Sequence, residues 1–228
     1  MAFRSSFRAL VRGLAAVGVG ALLLCSGGVA GAEEPRPVSN AEMQAATRAY
    51  YEGEMATSFL FMGYGAVTGG AGAAALTVDG DFARGFGLSS LILGATTALG
   101  GVGYGVAVKV RGDYYNGLAA SDPARFKREE EERIGGTNSR FVLYLGSELL
   151  LAAAGIGVAA YGVAAKEDLY TGLGIGGAIQ GIGLFVIDAP GAGRADRYRD
   201  VVRRFTPQVG VSPGGNGRPW AMTLTRSF

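Results

Sequence analysis

One stretch decides the fold: residues 141–188 read FVLYLGSELLLAAAGIGVAAYGVAAKEDLYTGLGIGGAIQGIGLFVID. The polar turn Lys166-Glu167-Asp168 separates two apolar runs, and each is close to the length of about 20 residues that crosses a bilayer. Neither run has a polar face at helical spacing, as a surface helix of a soluble protein would. The stretch therefore predicts two antiparallel membrane helices.

The same pattern occurs earlier in the chain, around the turn Asp79-Gly80-Asp81. With 40 glycines, 49% hydrophobic residues and 18% charged residues, the composition departs from that of soluble domains, which have about 25% charged residues. We predict an all-α membrane protein with four transmembrane helices, as two tandem Gly-rich hairpins. Apolar hairpins buried in a soluble core are the alternative. The runs are Ser58–Val78, Gly85–Val108, Phe141–Ala165 and Tyr170–Ile187.

The two hairpins show an internal repeat at an offset of 87 residues. Asp81-Phe82-x-x-Gly85-Phe86-Gly87 aligns with Asp168-Leu169-x-x-Gly172-Leu173-Gly174, and an Arg-x-Asp-x-Tyr motif follows each hairpin, at Arg111 and at Arg194. Because each unit contains two helices, both copies have the same orientation. The expected symmetry axis therefore runs along the membrane normal.

Small residues are expected to line the helix contact within each hairpin. Facing residues of an antiparallel hairpin have numbers with a constant sum, and small residues at facing positions let the backbones approach closely in lipid. This register predicts packing positions at Gly65, Gly69, Gly94, Gly155, Gly162, Gly174, Gly177 and Gly181.

Two acidic residues of the second hairpin form the candidate functional site. The residue numbers of Glu148 and Asp188 have the same sum as those of the facing glycines, so both carboxyl groups are expected between the helices. Gln180 is expected about two helical turns deeper in the membrane. An ionised carboxylate in the apolar layer costs about 2.5–3.5 kcal/mol on insertion scales, so such groups pair, become protonated or serve a transport path. These three residues are therefore a candidate ion or proton site. A structural role, with neutralisation by Arg140 or Arg194, is the alternative.

Residues 1–32 have the three parts of a secretory signal peptide, namely basic residues, an apolar run and the small-residue cleavage motif Ala30-Gly31-Ala32. Loss of their three arginines changes the formal net charge from +2 to −1, which removes the electrostatic basis for nucleic-acid binding. Cys25 as the acylated residue of a lipoprotein signal is an alternative, although Leu24 before it is larger than such signals use.

Outside the apolar runs, local motifs indicate helix ends. Ser39-x-x-Glu42 is a capping box, and the pair Tyr50-Tyr51 suits a membrane–water boundary. Ser121-Asp122-Pro123 begins a short charged helix that Gly135-Gly136 ends. The predicted order is signal peptide 1–32, amphipathic lead-in helix 33–57, hairpin 58–108, charged loop with a short helix 109–140, hairpin 141–193, basic helix 194–206, and an irregular or β-hairpin tail 207–228.

The sequence contains no motif for a reaction. It has no His, and its one Cys lies in the signal peptide, so we predict no enzyme, no cofactor and no metal site. Gly172-x-Gly174-x-x-Gly177 fits a dinucleotide-binding pattern, but it lies inside an apolar helix rather than between a strand and a helix. The leading hypothesis is a structural or interaction role in the bacterial cell envelope. A small ion or proton channel or transporter that uses Glu148 and Asp188 is the alternative.

The expected partners are the lipid bilayer and a second copy of the chain or an envelope protein, without nucleic acid. Two rules disagree about sidedness. An exported N-terminus places both termini on the non-cytoplasmic side, yet it also exports most basic residues, contrary to the positive-inside rule. We give the signal peptide more weight because all three of its parts are present, and we favour the inner over the outer membrane.

Overall fold

The computed structural model describes residues 36–207, except for the side chains of residues 138 and 139. The predicted signal peptide and the tail beyond residue 207 lie outside the described residues. Within them the chain is helical and contains no strand. The five helices are α1 (Asn40–Ala75), α2 (Asp81–Ser121), α3 (Pro123–Gly135), α4 (Thr137–Ala165) and α5 (Asp168–Arg204).

Local sequence sets the helix ends. The Ser39 hydroxyl accepts a hydrogen bond from the Glu42 N–H, and the Glu42 carboxylate accepts one from the Ser39 N–H at 2.9 Å, which confirms the predicted capping box. Asp122 caps α3 by accepting from the Arg125 N–H at 3.0 Å. Lys166 has a φ of 62°, the left-handed conformation that commonly ends a helix. Each pair of long helices is thereby joined by a short turn.

The four long helices pack in pairs. α1 packs along α2, α4 packs along α5, and α2 packs against α5 between the two pairs. α1 also touches α5, whereas α4 has α5 as its one extensive neighbour among the long helices. This places α2 and α5 at the centre and α4 at the periphery.

Large apolar side chains cover the outside of the long helices, and small or polar residues fill the inside. Val67, Leu99 and Val142 are 71%, 73% and 74% exposed, whereas Ser90 and Thr171 are buried at 4% and 3%. An apolar surface this extensive is unfavourable in water. It is the distribution expected for helices that lipid tails surround.

Three helical stretches are long and apolar enough to cross a membrane: Asp81–Ser121, Pro123–Ala165 and Asp168–Arg204. The described chain therefore has helices that fit an integral membrane protein in contact with a bilayer. The apolar run within α1 is not among the three. The fourth span stays a prediction.

At the end away from the short turns, the helix ends and α3 form a packed unit that we call the head. The Tyr50 ring stacks on the Tyr198 ring with centroids 4.3 Å apart, and Phe126 meets Phe205 edge to face at 6.0 Å. The Val38 N–H donates to the Arg204 carbonyl at 3.1 Å, which joins the start of the described chain to its end. The head core also contains Met43, Tyr51, Val108, Tyr115, Leu118, Ala119, Ile134, Ala195 and Val202.

Tyr50 and Tyr51 lie inside the head and not on the outer surface that a membrane–water boundary would contact, so that sequence prediction is wrong. They are only 7% and 6% exposed. The reason is that α1, α2 and α5 all extend beyond their apolar runs, so aromatic side chains there find protein partners. Tyr51, for example, stacks with Tyr115 at 6.2 Å.

The buried tyrosines should make the head sensitive to high pH. Burial, followed by the nearby Glu54 carboxylate, raises the pKa of Tyr50 to about 12, against about 10 in an unfolded chain. Because the folded-state pKa is the higher one, the stabilisation is complete below about pH 10 and is lost as the pH rises to about 12. We expect Tyr50→Phe to lose less unfolding free energy than wild type over this interval, measured by denaturant titration in detergent. Tyr161→Phe, at a side chain 61% exposed, should behave as wild type; identical pH profiles for all three proteins would contradict the prediction.

Candidate functional site

The side chains of Glu148 on α4 and Asp188 on α5 line one cavity at the head end of the bundle and interact electrostatically. Glu148 is only 8% exposed. A Cβ atom at Gly181 would lie 2.7 Å from the Glu148 carbonyl oxygen, closer than real Cβ atoms come. The missing side chain at Gly181 thus lets α5 approach α4 near the two acids.

One oxygen of this carboxyl pair has no hydrogen-bond donor to neutralise it. The Oε2 atom of Glu148 is buried and accepts no hydrogen bond from the described residues. Two adjacent carboxylates repel each other, so one of them favours a bound proton. A cation held between them removes the same repulsion. The geometry therefore offers a place to bind a proton or a small cation.

Glu54 is a third acid near the pair, and the sequence analysis missed it. It lies on α1, is 5% exposed, and interacts electrostatically with Asp188. The Arg194 guanidinium donates to Glu54 Oε1 at 3.1 Å, and the Tyr104 hydroxyl donates to Glu54 Oε2. These contacts connect the first pair of helices to the acid pair of the second.

Gly53 makes room for the Arg194 side chain. A Cβ atom at Gly53 would lie 2.9 Å from Cδ and Nε of Arg194. Arg194 also donates to the Thr57 hydroxyl at 2.6 Å, so α1 binds its guanidinium through two neighbouring turns. Arg194, which the sequence named as a neutralising partner for Glu148 and Asp188, forms its ion pair with Glu54 and also interacts electrostatically with Asp188. No described contact shows Arg140 neutralising either acid.

The three acids line one cavity of about 680 Å³ between the helix pairs and the head. This volume lies within the range of small-molecule pockets, about 300–1,000 Å³. Arginines line the cavity together with the acids, so the lining is mixed in charge. Besides the acids, the lining includes Tyr50, Phe61, Tyr104, Arg111, Arg133, Arg140, Phe141, Tyr144 and Leu184.

Gln180 does not join the acid pair. It is 1% exposed, and its Nε2 atom donates to the Thr97 hydroxyl of α2 at 2.6 Å. Eight residues separate it from Asp188 along α5, which is about two turns. Gln180 therefore links α5 to α2 deeper in the bundle.

The predicted packing glycines of the first hairpin lie where α1 meets α2. A Cβ atom at Gly65 would overlap the backbone of Gly94 and Ala98. Gly69 has looser surroundings, because a Cβ atom there would lie 3.4 Å from the Ala95 nitrogen. At Gly94 a Cβ atom would overlap the Gly69 backbone. A side chain at Gly65 or Gly94 would force these helices apart.

The predicted glycines of the second hairpin lie where α4 meets α5. A Cβ atom at Gly155 would lie 2.8 Å from the Gly174 carbonyl oxygen, and one at Gly162 would lie 2.9 Å from the Glu167 carbonyl oxygen. Gly177 is less crowded, with Gly155 Cα at 3.7 Å from its added Cβ atom. Gly174 and Gly181 likewise face the backbone of α4.

Metal chemistry gains no support from the described residues, because in residues 36–207 no three His, Cys, Asp or Glu side chains are grouped to hold a metal ion. Of the acids that line the cavity, Glu54 is bound by a tyrosine and an arginine. Comparisons with known proteins add no further constraint. No protein-family model matches the chain, and no match was found among curated proteins or among solved structures.

Proposed function

We propose that the chain is a non-enzymatic integral membrane protein of the bacterial cell envelope and that Glu148 and Asp188 form the proton- or cation-binding site of a small transporter or channel. One observation carries the proposal: the buried Glu148 and the half-buried Asp188 line one cavity together with a third acid, Glu54. Acids inside membrane helices are costly to keep and usually serve a transport path.

Polar side chains continue beyond the acid pair, which supports a path through the bundle. Gln180 and Thr97 are bonded to each other between α5 and α2. Further along this contact, a Cβ atom at Gly176 would lie 2.9 Å from the Ser90 hydroxyl, and Ser90 is buried. A row of hydroxyl and amide groups in an otherwise apolar layer can pass a proton more readily than aliphatic packing can.

We expect the double variant Glu148→Gln/Asp188→Asn to lower proton or cation flux in liposomes to the level of empty liposomes. The variant keeps the shape of both side chains and removes their ability to bind a proton. The matched control is Glu131→Gln/Asp79→Asn, which changes the same two residue types at exposed positions on α3 and in the α1–α2 turn. The control should retain wild-type flux. Unchanged flux in the first variant would contradict the proposal.

A structural or interaction subunit is the second candidate function. It is favoured by glycines on the outer faces of α1 and α2 that no described residue approaches: an added Cβ atom at Gly63, Gly70, Gly100 or Gly103 would meet nothing within 4 Å. Small residues on an outer face permit close contact with another membrane helix, from a second copy or from an envelope protein. If the wild-type chain assembles but carries no flux, this candidate is favoured. If the acid variant assembles normally but has lost the flux of the wild type, transport is favoured.

The predicted duplication gains support from one contact between the central helices. A Cβ atom at Gly85 would overlap the backbone of Leu169, and one at Gly172 would overlap the backbone of Phe82. Gly172 and Leu169 are the residues that the offset of 87 relates to Gly85 and Phe82. Two copies related by a two-fold axis would make this reciprocal contact.

The proposed topology places the head outside the cytoplasm, with the two short turns on the cytoplasmic side. The adjacency of Val38 and Phe205 supports a common side for both ends of the described chain. The signal peptide, which lies outside the described residues, supplies the direction. Export combined with apolar helices favours the inner membrane over the outer membrane.

A further inference from the structure

The cavity lies beside a gap between α4 and the first helix pair. α4 packs along α5 but makes no extensive contact with α1 or α2. Residues from both sides nevertheless line one cavity, among them Phe61 of α1 and Tyr144 of α4. We call this gap between α4 and the first helix pair the wedge. In a membrane, lipid surrounds the protein and fills such a gap.

One face of α4 towards this wedge is polar, although no helix packs against it there. Thr137, Arg140, Tyr144 and Ser147 all line the cavity at spacings of three or four residues. Tyr144 is 51% exposed, and its hydroxyl has no hydrogen-bond partner among the described residues. Polar side chains on this face of α4 need a hydrogen-bonding partner, and that partner must have oxygen atoms within the apolar layer.

Two arginines that line the cavity have no acidic partner among residues 36–207. Arg111 of α2 and Arg140 of α4 both line it, and within the described residues neither side chain forms an ion pair or hydrogen bond. Arg133, by contrast, is bound to Glu130. Guanidinium groups bind phosphate in a bidentate manner, and basic pockets between membrane helices bind anionic lipid head groups.

We propose that this cavity binds one anionic phospholipid, whose phosphate lies between Arg111 and Arg140 and whose acyl chains run down the wedge past Phe61 and Leu184. Arg140 and Glu148 are eight residues apart, a rise of roughly 12 Å along α4. Tyr144 and Ser147 lie between them, at the depth where the glycerol and ester oxygens of such a lipid would lie. This lipid site does not require that the protein transport ions.

The test is a titration of the full chain in detergent with phosphatidylglycerol, phosphatidylcholine or inorganic phosphate, with bound species counted by native mass spectrometry. We expect wild type to bind one phosphatidylglycerol in preference to phosphatidylcholine. Arg111→Gln/Arg140→Gln should weaken this binding about tenfold or more, because hydrogen bonds to charged groups are lost. Both arginines are exposed and unpartnered in the described structure, so the variant should keep the wild-type helical content and melting temperature.

The matched control is Arg84→Gln/Arg128→Gln, which removes two exposed arginines that do not line the cavity. It should bind phosphatidylglycerol as wild type does. Equal loss in both double variants would show non-specific charge attraction and would overturn the proposal. So would equal binding of phosphatidylcholine, or inorganic phosphate competing at the same concentration as the lipid. Because the flux assay uses different residues, failure here is separable from failure of the transport proposal.

Discussion

Arg133→Ala is expected to lower the free energy of unfolding of the head by about 3–5 kcal/mol, because it leaves a buried carboxylate without its counter-charge. Glu130 is 0% exposed. Arg133 donates to both of its oxygens, through Nε at 2.5 Å and through Nη2 at 2.6 Å. The guanidinium also lies 5.4 Å from the centroid of the Tyr115 ring, within cation–π range.

The same helix supplies a matched control. Arg125 and Glu129 form an ion pair at 2.7 Å, but their side chains are 52% and 35% exposed. Arg125→Ala should therefore cost under about 1 kcal/mol. Urea titration in detergent, followed by tyrosine fluorescence, measures both variants. If Arg133→Ala and Arg125→Ala lower the free energy of unfolding by similar amounts, then the buried ion pair is not a main source of the stability of the head.

A second variant separates lost charge pairing from lost packing. Glu130→Gln combined with Arg133→Ala removes the buried charge along with its partner. We expect this double variant to be more stable than Arg133→Ala alone, since an uncompensated buried charge costs more than an uncharged amide. A double variant that is less stable would indicate that Arg133 acts chiefly by filling space among the tyrosines.

Local chemistry made the helix ends and the contacts within each helix pair predictable. The capping box at Ser39 and the Asp122-Pro123 start of α3 depend on side chains within three residues of the backbone groups they bind. The approach of Glu148 to Asp188 depends only on the length of the turn between their helices. Such contacts need no knowledge of the remaining fold.

Contacts between the helix pairs were not predictable in this way. Glu54 is 140 residues from Arg194, and their ion pair depends on how α1 is placed against α5, for which no turn length provides a register. The burial of Tyr50 by Tyr198 depends on the same placement. Both helix pairs and the head contribute to the cavity. For this reason the cavity could not be predicted from the sequence either.

Gly155→Leu is expected to destabilise the α4–α5 pair by about 3 kcal/mol, the upper part of the usual range for overpacking. A Cβ atom at this position would meet backbone atoms of Ala178 and Gly174, which cannot move as a flexible side chain can. Gly157→Leu is the matched control, two residues along the same helix, where an added Cβ atom meets nothing within 4 Å. Both changes raise the intrinsic helix propensity equally, so the difference between them measures the contact.

The two leucine variants also connect packing to the acid pair. Glu148 lies seven residues before Gly155, two turns along the face that meets α5. A side chain at Gly155 should therefore move α4 away from α5 and separate Glu148 from Asp188, so that proton or cation flux falls together with stability. Gly157→Leu should leave both unchanged. If Gly155→Leu unfolds at the same denaturant concentration as Gly157→Leu, then the backbones of α4 and α5 are not in contact at this position. The helix approach that brings the two acids to one cavity would then have no basis.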